Sequence, residues 1–175
     1  IAEDKNHNLW ISLYGAGVAK YDGKQFSYFN ESDGLLSNSV RKIVYSTENE
    51  CLILATETGL CLYDGRHFKS FTRNDSKFKF QITGINNYNG KCLVTSSRHG
   101  VYQLTVASKN INNSTLDSLF YAKISYSSFS DKNLYYAGDA EHSLIIRDLV
   151  SNKQTQIPSP ITWDFASSGE ALFLA

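Results

Sequence analysis

The chain has 175 residues, 42% hydrophobic and 13% aromatic, enough to bury a core and unlike a disordered, collagenous or small disulfide-stapled chain. Its 17 Lys and Arg balance 17 Asp and Glu, which removes the electrostatic footprint of a sequence-independent nucleic-acid binder or of a protein drawn to anionic lipid. No apolar run approaches the ~20 residues that span a bilayer, so neither nucleic acid nor membrane is an expected partner of this segment.

Self-similarity organises the chain. Glu3-Asp4 leads through Asn6-His7-Asn8 to Leu9-Trp10-Ile11-Ser12-Leu13, then Gly17-Val18-Ala19-Lys20-Tyr21-Asp22-Gly23 and Phe26-Ser27-Tyr28-Phe29. The pattern returns as Glu50-Cys51-Leu52-Ile53-Leu54-Ala55, Gly59-Leu60-Cys61-Leu62-Tyr63-Asp64-Gly65 and Phe68-Lys69-Ser70-Phe71. A third copy holds Lys91-Cys92-Leu93-Val94-Thr95 and Gly100-Val101-Tyr102-Gln103-Leu104, a weaker fourth holds Leu134-Tyr135-Tyr136-Ala137 and Leu144-Ile145-Ile146, and Ile161 to Ala175 opens a fifth. The marker leucines Leu9, Leu52, Leu93, Leu134 and Leu172 lie 43, 41, 41 and 38 residues apart.

Each unit consists of short runs rich in β-branched and aromatic residues, broken by Gly, Asn and Asp, with no sustained 3.6-residue period. The second copy predicts strands A to D over 39–46, 51–56, 60–64 and 67–72. Asp22-Gly23 and Asp64-Gly65 read as two-residue hairpin turns, and Gly59 and Gly100 as positive-φ residues closing the preceding hairpin. A four-stranded meander repeating every ~40–45 residues is the mark of a β-propeller blade, whose apolar faces need neighbouring blades. The fold class expected is therefore all-β, a propeller present as an incomplete arc of about four and a half blades. Its blades fall at 1–30, 38–72, 80–106 and 119–157, with a half blade at 161–175. Because the chain opens in an A strand and stops after a B strand, the arc is expected to be cut from a longer polypeptide. The stretch 107–118 reads as a long connection between the third and fourth blades, and Pro158 and Pro160 as stiffening the next crossing.

The string Glu3-Asp4, Asn8-Leu9-Trp10-Ile11, Tyr14-Gly15-Ala16-Gly17-Val18, Tyr21-Asp22-Gly23 and Phe26, followed by Gly34-Leu35-Leu36-Ser37-Asn38-Ser39-Val40, resembles the two-component regulator propeller repeat. The first two copies carry the resemblance, which fades after Leu104. The chain departs from the family pattern at Asn8, Ser12, Leu13 and Ile53, where Gly, Gly, Thr and Trp are favoured. The resemblance implies the periplasmic sensor region of a bacterial hybrid two-component sensor histidine kinase, many of which control polysaccharide-utilisation genes. It further implies an oligosaccharide ligand, further propeller blades of the same parent chain, and a homodimer of the full sensor. The family's immunoglobulin-like domain, membrane helix and kinase, receiver and DNA-binding modules are not visible in these residues.

The sequence predicts no catalytic residue, metal site or cofactor. His7, His67, His99 and His142 form no HxH or HExxH pair, and three cysteines without CxxC or Cys/His spacing read as small core hydrophobes. Gly15-Ala16-Gly17 lacks the third glycine and helix of a dinucleotide loop. Binding is easier to place, because a propeller sends its B–C and D–A connections to one end and loops on a rigid scaffold carry recognition. That end gathers Tyr14, Glu57, Arg98, His99, Asp139, Glu141 and His142 from B–C loops, and Asp33, Asn38, Arg73, Asn74 and Lys77 from D–A loops. An aromatic face and planar polar groups suit a sugar, which singles out Tyr14, Arg98 and His99. Trp10, in the position filled by Ile53 and Val94, reads as packing between blades; Trp163 is the second tryptophan weighed as a sugar platform. The functional expectation is a non-catalytic ligand sensor. The alternatives are a protein-interaction scaffold and, behind it, a polysaccharide-cleaving propeller enzyme, for which no acid/base pair is recognisable.

Overall fold

The computed structural model describes residues 1–72, 80–88, 91–107, 110–121, 124–131, 134–139, 143–158, 165–168 and 171–174. Apart from two 3₁₀ turns, Glu31–Asp33 and Ile111–Asn113, the regular elements among them are strands. The first sheet is β1 (Ala2–Glu3), β2 (Leu9–Leu13), β3 (Gly17–Tyr21) and β4 (Phe26–Phe29), and the second is β5 (Val40–Ser46), β6 (Cys51–Thr56), β7 (Leu60–Tyr63) and β8 (Phe68–Phe71). The third is β9 (Ile82–Tyr88), β10 (Lys91–Ser96), β11 (Gly100–Thr105) and β12 (Thr115–Phe120). The fourth is β13 (Ile124–Asp131), β14 (Leu134–Asp139), β15 (Ser143–Asp148) and β16 (Gln154–Pro158), and β17 (Phe165–Ser168) pairs with β18 (Ala171–Leu174). Each sheet is a meander, its strands neighbouring in chain order. By packing, the chain divides into two compact units, 1–82 with 105–116, and 83–104 with 117–175.

Aspartates at the ends of C strands build the C–D turns. Asp22 Oδ1 accepts from the backbone N–H of Lys24 and Gln25, both at 2.9 Å. Asp64 Oδ1 does the same for Arg66 and His67, and Asp148 Oδ1 for Val150 and Ser151. This is the Asx-turn logic that favours Asp ahead of a turn. The flanking pairs are Tyr21↔Phe26 and Tyr63↔Phe68. The backbone N–H of Asp22 donates to Gln25 O and that of Asp64 to His67 O, both at 3.3 Å, so the two central residues are Gly23-Lys24 and Gly65-Arg66, one place later than the Asp-Gly pairs expected.

The A–B turn of the first sheet hangs on Asp4. Its carboxylate accepts from Asn6 N–H, from Asn8 through backbone and carboxamide, and from Trp10 Nε1 at 2.9 Å. Burial pushes the Asp4 carboxyl up, but these hydrogen bonds outweigh it and hold the group below the usual carboxylate range. The left-handed residue of this turn is His7 (φ 62°), with Glu50 (φ 52°) in its place in the second sheet. The departure read at Asn8 is thus one residue off: Asn8 is a buried polar group bonded to Asp4, and His7 takes the strained backbone.

The glycines before the C strands act by close approach. A Cβ on Gly17 would stand 2.1 Å from the Phe29 carbonyl oxygen, and one on Gly59 would stand 2.1 Å from that of Phe71. Gly100 takes the expected positive φ (94°); Gly59 does not, its lack of a side chain being needed for space alone.

In the first unit, Trp10, Val18 and Phe29 of the first sheet pack against Leu52, Leu54, Cys61, Tyr63 and Phe68 of the second. Trp10 lies 5.6 Å from the Tyr63 ring and 5.4 Å from Phe29, which is the packing role read for it. In the second unit, Leu93, Val101 and Phe120 of the third sheet pack with Tyr135, Ala137 and Ile145 of the fourth, Phe120 edge-on to Tyr135. Tyr135 is fully buried and its hydroxyl is hydrogen-bonded to Thr95 Oγ1.

Two further expectations differ from the structure. Leu52 faces the preceding sheet, whereas Leu93 faces the following one, so the marker leucines do not share a register. Counting back from the B–C pairs Leu13↔Gly17 and Ser96↔Gly100, Cys92 holds the position of Leu9, and Leu93, not Val94, that of Trp10. A one-residue slip exchanges the faces of a strand. None of the thiols is in a disulfide; Cys51 and Cys61 are buried as expected, whereas Cys92 is half-buried, its surroundings still pushing the thiol up to about 11. The second concerns 107–118. It is not a link between blades, because Thr115–Phe120 is the outer strand of the third sheet, past the edge read at 106. The interruption is the C–D connection, where Asn110 caps the turn Ile111–Asn113 and Ser114 Oγ accepts from Ala107 N–H. Pro158 closes the outer strand of the fourth sheet, while Pro160 and Trp163 lie outside the described residues.

Replacing Gly17 or Gly59 with Ala forces a side chain into a carbonyl oxygen and is expected to destabilise by roughly 3 kcal/mol. Gly23→Ala, with φ 91° but open space around its Cβ, is expected to cost only about 1 kcal/mol. Urea unfolding midpoints of the three variants check the order. Asp4→Ala leaves the buried Trp10 and Asn8 donors without their acceptor and is expected to cost about 2–4 kcal/mol. Because the folded-state pKa of Asp4 is depressed, its contribution is full above the ordinary carboxylate pKa of about 3.9 and is lost as pH falls through the lower folded value. Acid titration of stability is therefore expected to be shallower in Asp4→Asn than in the wild type.

Candidate functional site

The meander sends the B–C turns and the D–A connections of a sheet to the same strand ends. In the first unit this brings Tyr14, Glu57 and Asn38 together. Tyr14 follows β2 in the turn 14–16, the residue 70% exposed, and its hydroxyl donates to Glu57 Oε1 at 2.7 Å. The same oxygen accepts from Arg41 Nη2 at 2.8 Å. The Gln81 carboxamide, with its oxygen toward Arg41, accepts from Nη2 at 2.7 Å and from Nε at 2.9 Å. The hydrogen bond to Glu57, reinforced by its negative charge, raises the Tyr14 phenol above its ordinary value, so at neutral pH it remains a donor.

Backbone bonds between the sheets hold this constellation. Gly17 N–H donates to Asn38 O and Glu57 N–H to Ser39 O, while the Ser12 hydroxyl donates to Val40 O. The second B–C turn is locked by Thr56, whose Oγ1 donates to Gly59 O and accepts from Thr58 and Gly59 N–H. The arrangement is an exposed aromatic ring next to a carboxylate and a guanidinium, the groups that recognise a hydroxylated ring.

The other residues named from the sequence fall as follows. Asn38 is tied to Glu31 twice, through its N–H and its Oδ1, and Asp33 closes a capping box with Asn30; both shape the D–A connection. Arg98 is exposed and left-handed (φ 64°), and His99 Nδ1 lies 2.9 Å from Ser97 O. Both belong to the second unit. Asp139 ends β14, its side chain outside the described residues, as are Arg73, Asn74, Lys77, Glu141 and His142.

Arg41 and Gln81 were not anticipated. Their signal was present: both stand at the start of an A strand, which topology brings to the B–C end. Two concavities of the first unit lie at the opposite ends of the strands. One, of about 230 Å³, is lined by Lys5, Lys20, Tyr45, Glu50, Tyr63 and Asp64, and Lys5 bridges it to Glu50. The other, of about 520 Å³, is lined by Glu48, Asn49, Asp64, Arg66, Asn110 and Ile111. Among the described residues no helix is long and apolar enough to cross a membrane.

No protein-family model matches the chain, and no curated protein matches it. Solved structures do. The extracellular domain of the hybrid two component system BT3049 from B. thetaiotaomicron aligns with TM-score 0.70 at 16% identity, covering 90% of this chain and 24% of that one. The extracellular domain of BT4673 from the same organism, described as a one component system and, in another structure, as a hybrid two component system, aligns with TM-score 0.73 at 16% identity over 98% of this chain and 25% of its own. The β-propeller domain of Myceliophteria thermophila Cps50 (Swd1) aligns with TM-score 0.68 at 15% identity over 91% of this chain and 58% of its own. The chain thus spans 24–25% of the length of the two extracellular domains, which come from regulatory systems of the kind that its first two repeats resemble. At these identities the likeness establishes the fold: β-propeller blades, among the described residues four of four strands and a fifth, two-stranded sheet, the incomplete propeller that the repeats predict.

Proposed function

We propose that the chain is a non-catalytic, ligand-sensing propeller segment of a bacterial two-component sensor, lying on the periplasmic side of the inner membrane. The observation that carries this reading is the match to extracellular domains of hybrid two component systems over 90–94% of the chain, beside the repeat motifs that resemble the same class. The ligand proposed is an oligosaccharide, held at the B–C end by the Tyr14 ring with Glu57 and Arg41 beside it. Because the Glu57 and Arg41 charges offset each other across 2.8 Å, the site favours a neutral sugar over an acidic one. Glu57 Oε1 already takes two hydrogen bonds, an arrangement that suits positioning hydroxyl groups more than moving protons.

Sensing requires the ligand to prefer one arrangement of the full sensor, here proposed as a homodimer, over another, since equal affinity for both shifts nothing. The output in this reading is expression of polysaccharide-utilisation genes through kinase modules outside these residues.

Isothermal titration of the complete sensor domain against a panel of neutral and acidic oligosaccharides tests the reading. Binding of a neutral member is expected, with Tyr14→Ala weakening it about five- to tenfold, the worth of one aromatic contact. Silence across the panel overturns the oligosaccharide reading, and binding that Tyr14→Ala leaves unchanged overturns the site.

A further inference from the structure

The fourth sheet places a charge where the second sheet places a ring. In the second sheet Leu52, Tyr63 and Phe68 stand across from one another on adjacent strands, and the rings of Trp10 and Phe29 cover Tyr63 at 5.6 and 5.5 Å. Tyr63 immediately precedes the aspartate of its C–D turn, and so does Arg147 in the fourth sheet, where the corresponding cross-strand set is Tyr135, Arg147 and Gln154. Phe120 ends the outer strand of the third sheet as Phe29 ends that of the first. Its ring lies edge-on to Tyr135 at 5.8 Å, and its centre is 4.9 Å from Arg147 Cζ. A guanidinium and a carboxamide thus stand in place of a packed aromatic pair.

That guanidinium lacks a counter-charge among the described residues. Arg147 is half-buried, and its Nε is buried without an acceptor. Its hydrogen bond from Nη2 to Asn152 Oδ1 measures 3.4 Å, the long limit for such a bond. The adjacent carboxylate, Asp148, is engaged by the Val150 and Ser151 N–H groups. A cation drawn partly out of water is disfavoured unless something pairs with it, and stacking on an aromatic face offsets only part of that. A buried donor left over in this way marks a place where a partner fits.

We propose that Arg147, with Gln154 beside it, is the receptor for a small carboxylate. Phe120 fixes the guanidinium plane, and a planar fork of N–H donors matches the two oxygens of a carboxylate lying in that plane. Gln154 is exposed and directly opposite Arg147, so its amide nitrogen supplies a further donor to the same anion. One cation and one amide suit a singly charged, planar group more than a phosphate, which is held by several cations or by clustered backbone N–H groups. These residues all lie in the second unit, those of the Tyr14 constellation in the first.

The test is an acetate titration of the polypeptide at its natural length, isotope-labelled on arginine and kept at constant ionic strength, read at the Nε–H resonance that Arg147→Lys removes. That resonance is expected to move and to saturate with a roughly millimolar dissociation constant, as a single bidentate contact gives. Acetamide, the neutral isostere, is expected to leave it in place. Gln154→Ala is expected to weaken acetate binding about threefold. Arg147→Met returns the position to apolar packing, and is expected to keep the melting temperature of the unliganded protein while losing the rise that acetate brings. A resonance that acetate does not move overturns the proposal; if Arg147→Met then melts well below the unsubstituted protein, the guanidinium belongs to an ion pair of the natural chain. Equal movement with acetamide also overturns it, and tighter binding of inorganic phosphate overturns the assignment to a carboxylate.

Discussion

A sheet that is apolar on both faces is stable only where each face is covered, and the structure of this protein follows from that constraint. The buried cluster between the first and second sheets holds nine buried residues, Trp10, Leu54 and Tyr63 among them. Burying one large apolar side chain is worth about 1.5–3 kcal/mol, whereas an exposed ion pair such as Lys5 with Glu50 is screened by solvent and contributes far less. Packing between sheets, not polar contact at their ends, therefore decides how neighbouring sheets lie. The polar groups then act at the margins, where Asp4, Asp22, Asp64 and Asp148 fix the turns that bring consecutive strands into register.

That division of labour explains what the sequence made legible. The Asp-Gly pairs, the glycines before the C strands and the alternation of Leu9, Ile11 and Leu13 are local signals, each tied to a backbone requirement that the chain cannot evade. The strands of the first two sheets follow from them to within a residue or two. The face assignment of the third sheet did not, because Cys92 and Leu93 are both apolar and a run buried on two faces has no alternation to read. Only the cross-strand partners of Cys92 and Leu93, namely Leu104 and Gln103, separate them. Thr115–Phe120 was missed for a different reason. The Asn-rich insertion before it replaces the compact Asp-led turn of the other sheets, and a period-based reading loses its phase at an insertion.

The candidate site was half legible on the same grounds. Tyr14 and Glu57 sit in B–C turns, which any four-stranded meander exposes at one end, so topology alone places them. Arg41 and Gln81 sit at the beginnings of A strands, where a side chain is ordinarily judged by its contribution to a sheet face. For Arg41 the role follows from pairing within its own sheet, where Val40 stands opposite Thr56 and so sets Arg41 beside the turn that holds Glu57. The Thr56 hydroxyl network and the Asn38–Glu31 exchange were likewise invisible beforehand, since a residue named for its chemistry in a loop proves to be bonded to its own backbone surroundings.

The constellation around Glu57 is built across a boundary. Tyr14 belongs to the first sheet, Arg41 and Glu57 to the second, and the backbone bonds Gly17 to Asn38 and Glu57 to Ser39 anchor them to one connection. The same two sheets are joined at their other ends by Lys5 and Glu50 and in the middle by the Trp10 cluster. A molecule gripping Tyr14 and Arg41 together would thus touch both sheets at a point where their spacing is set by packing a few residues away. Since cores resist continuous deformation, such a grip would favour the spacing that fits it and oppose any other.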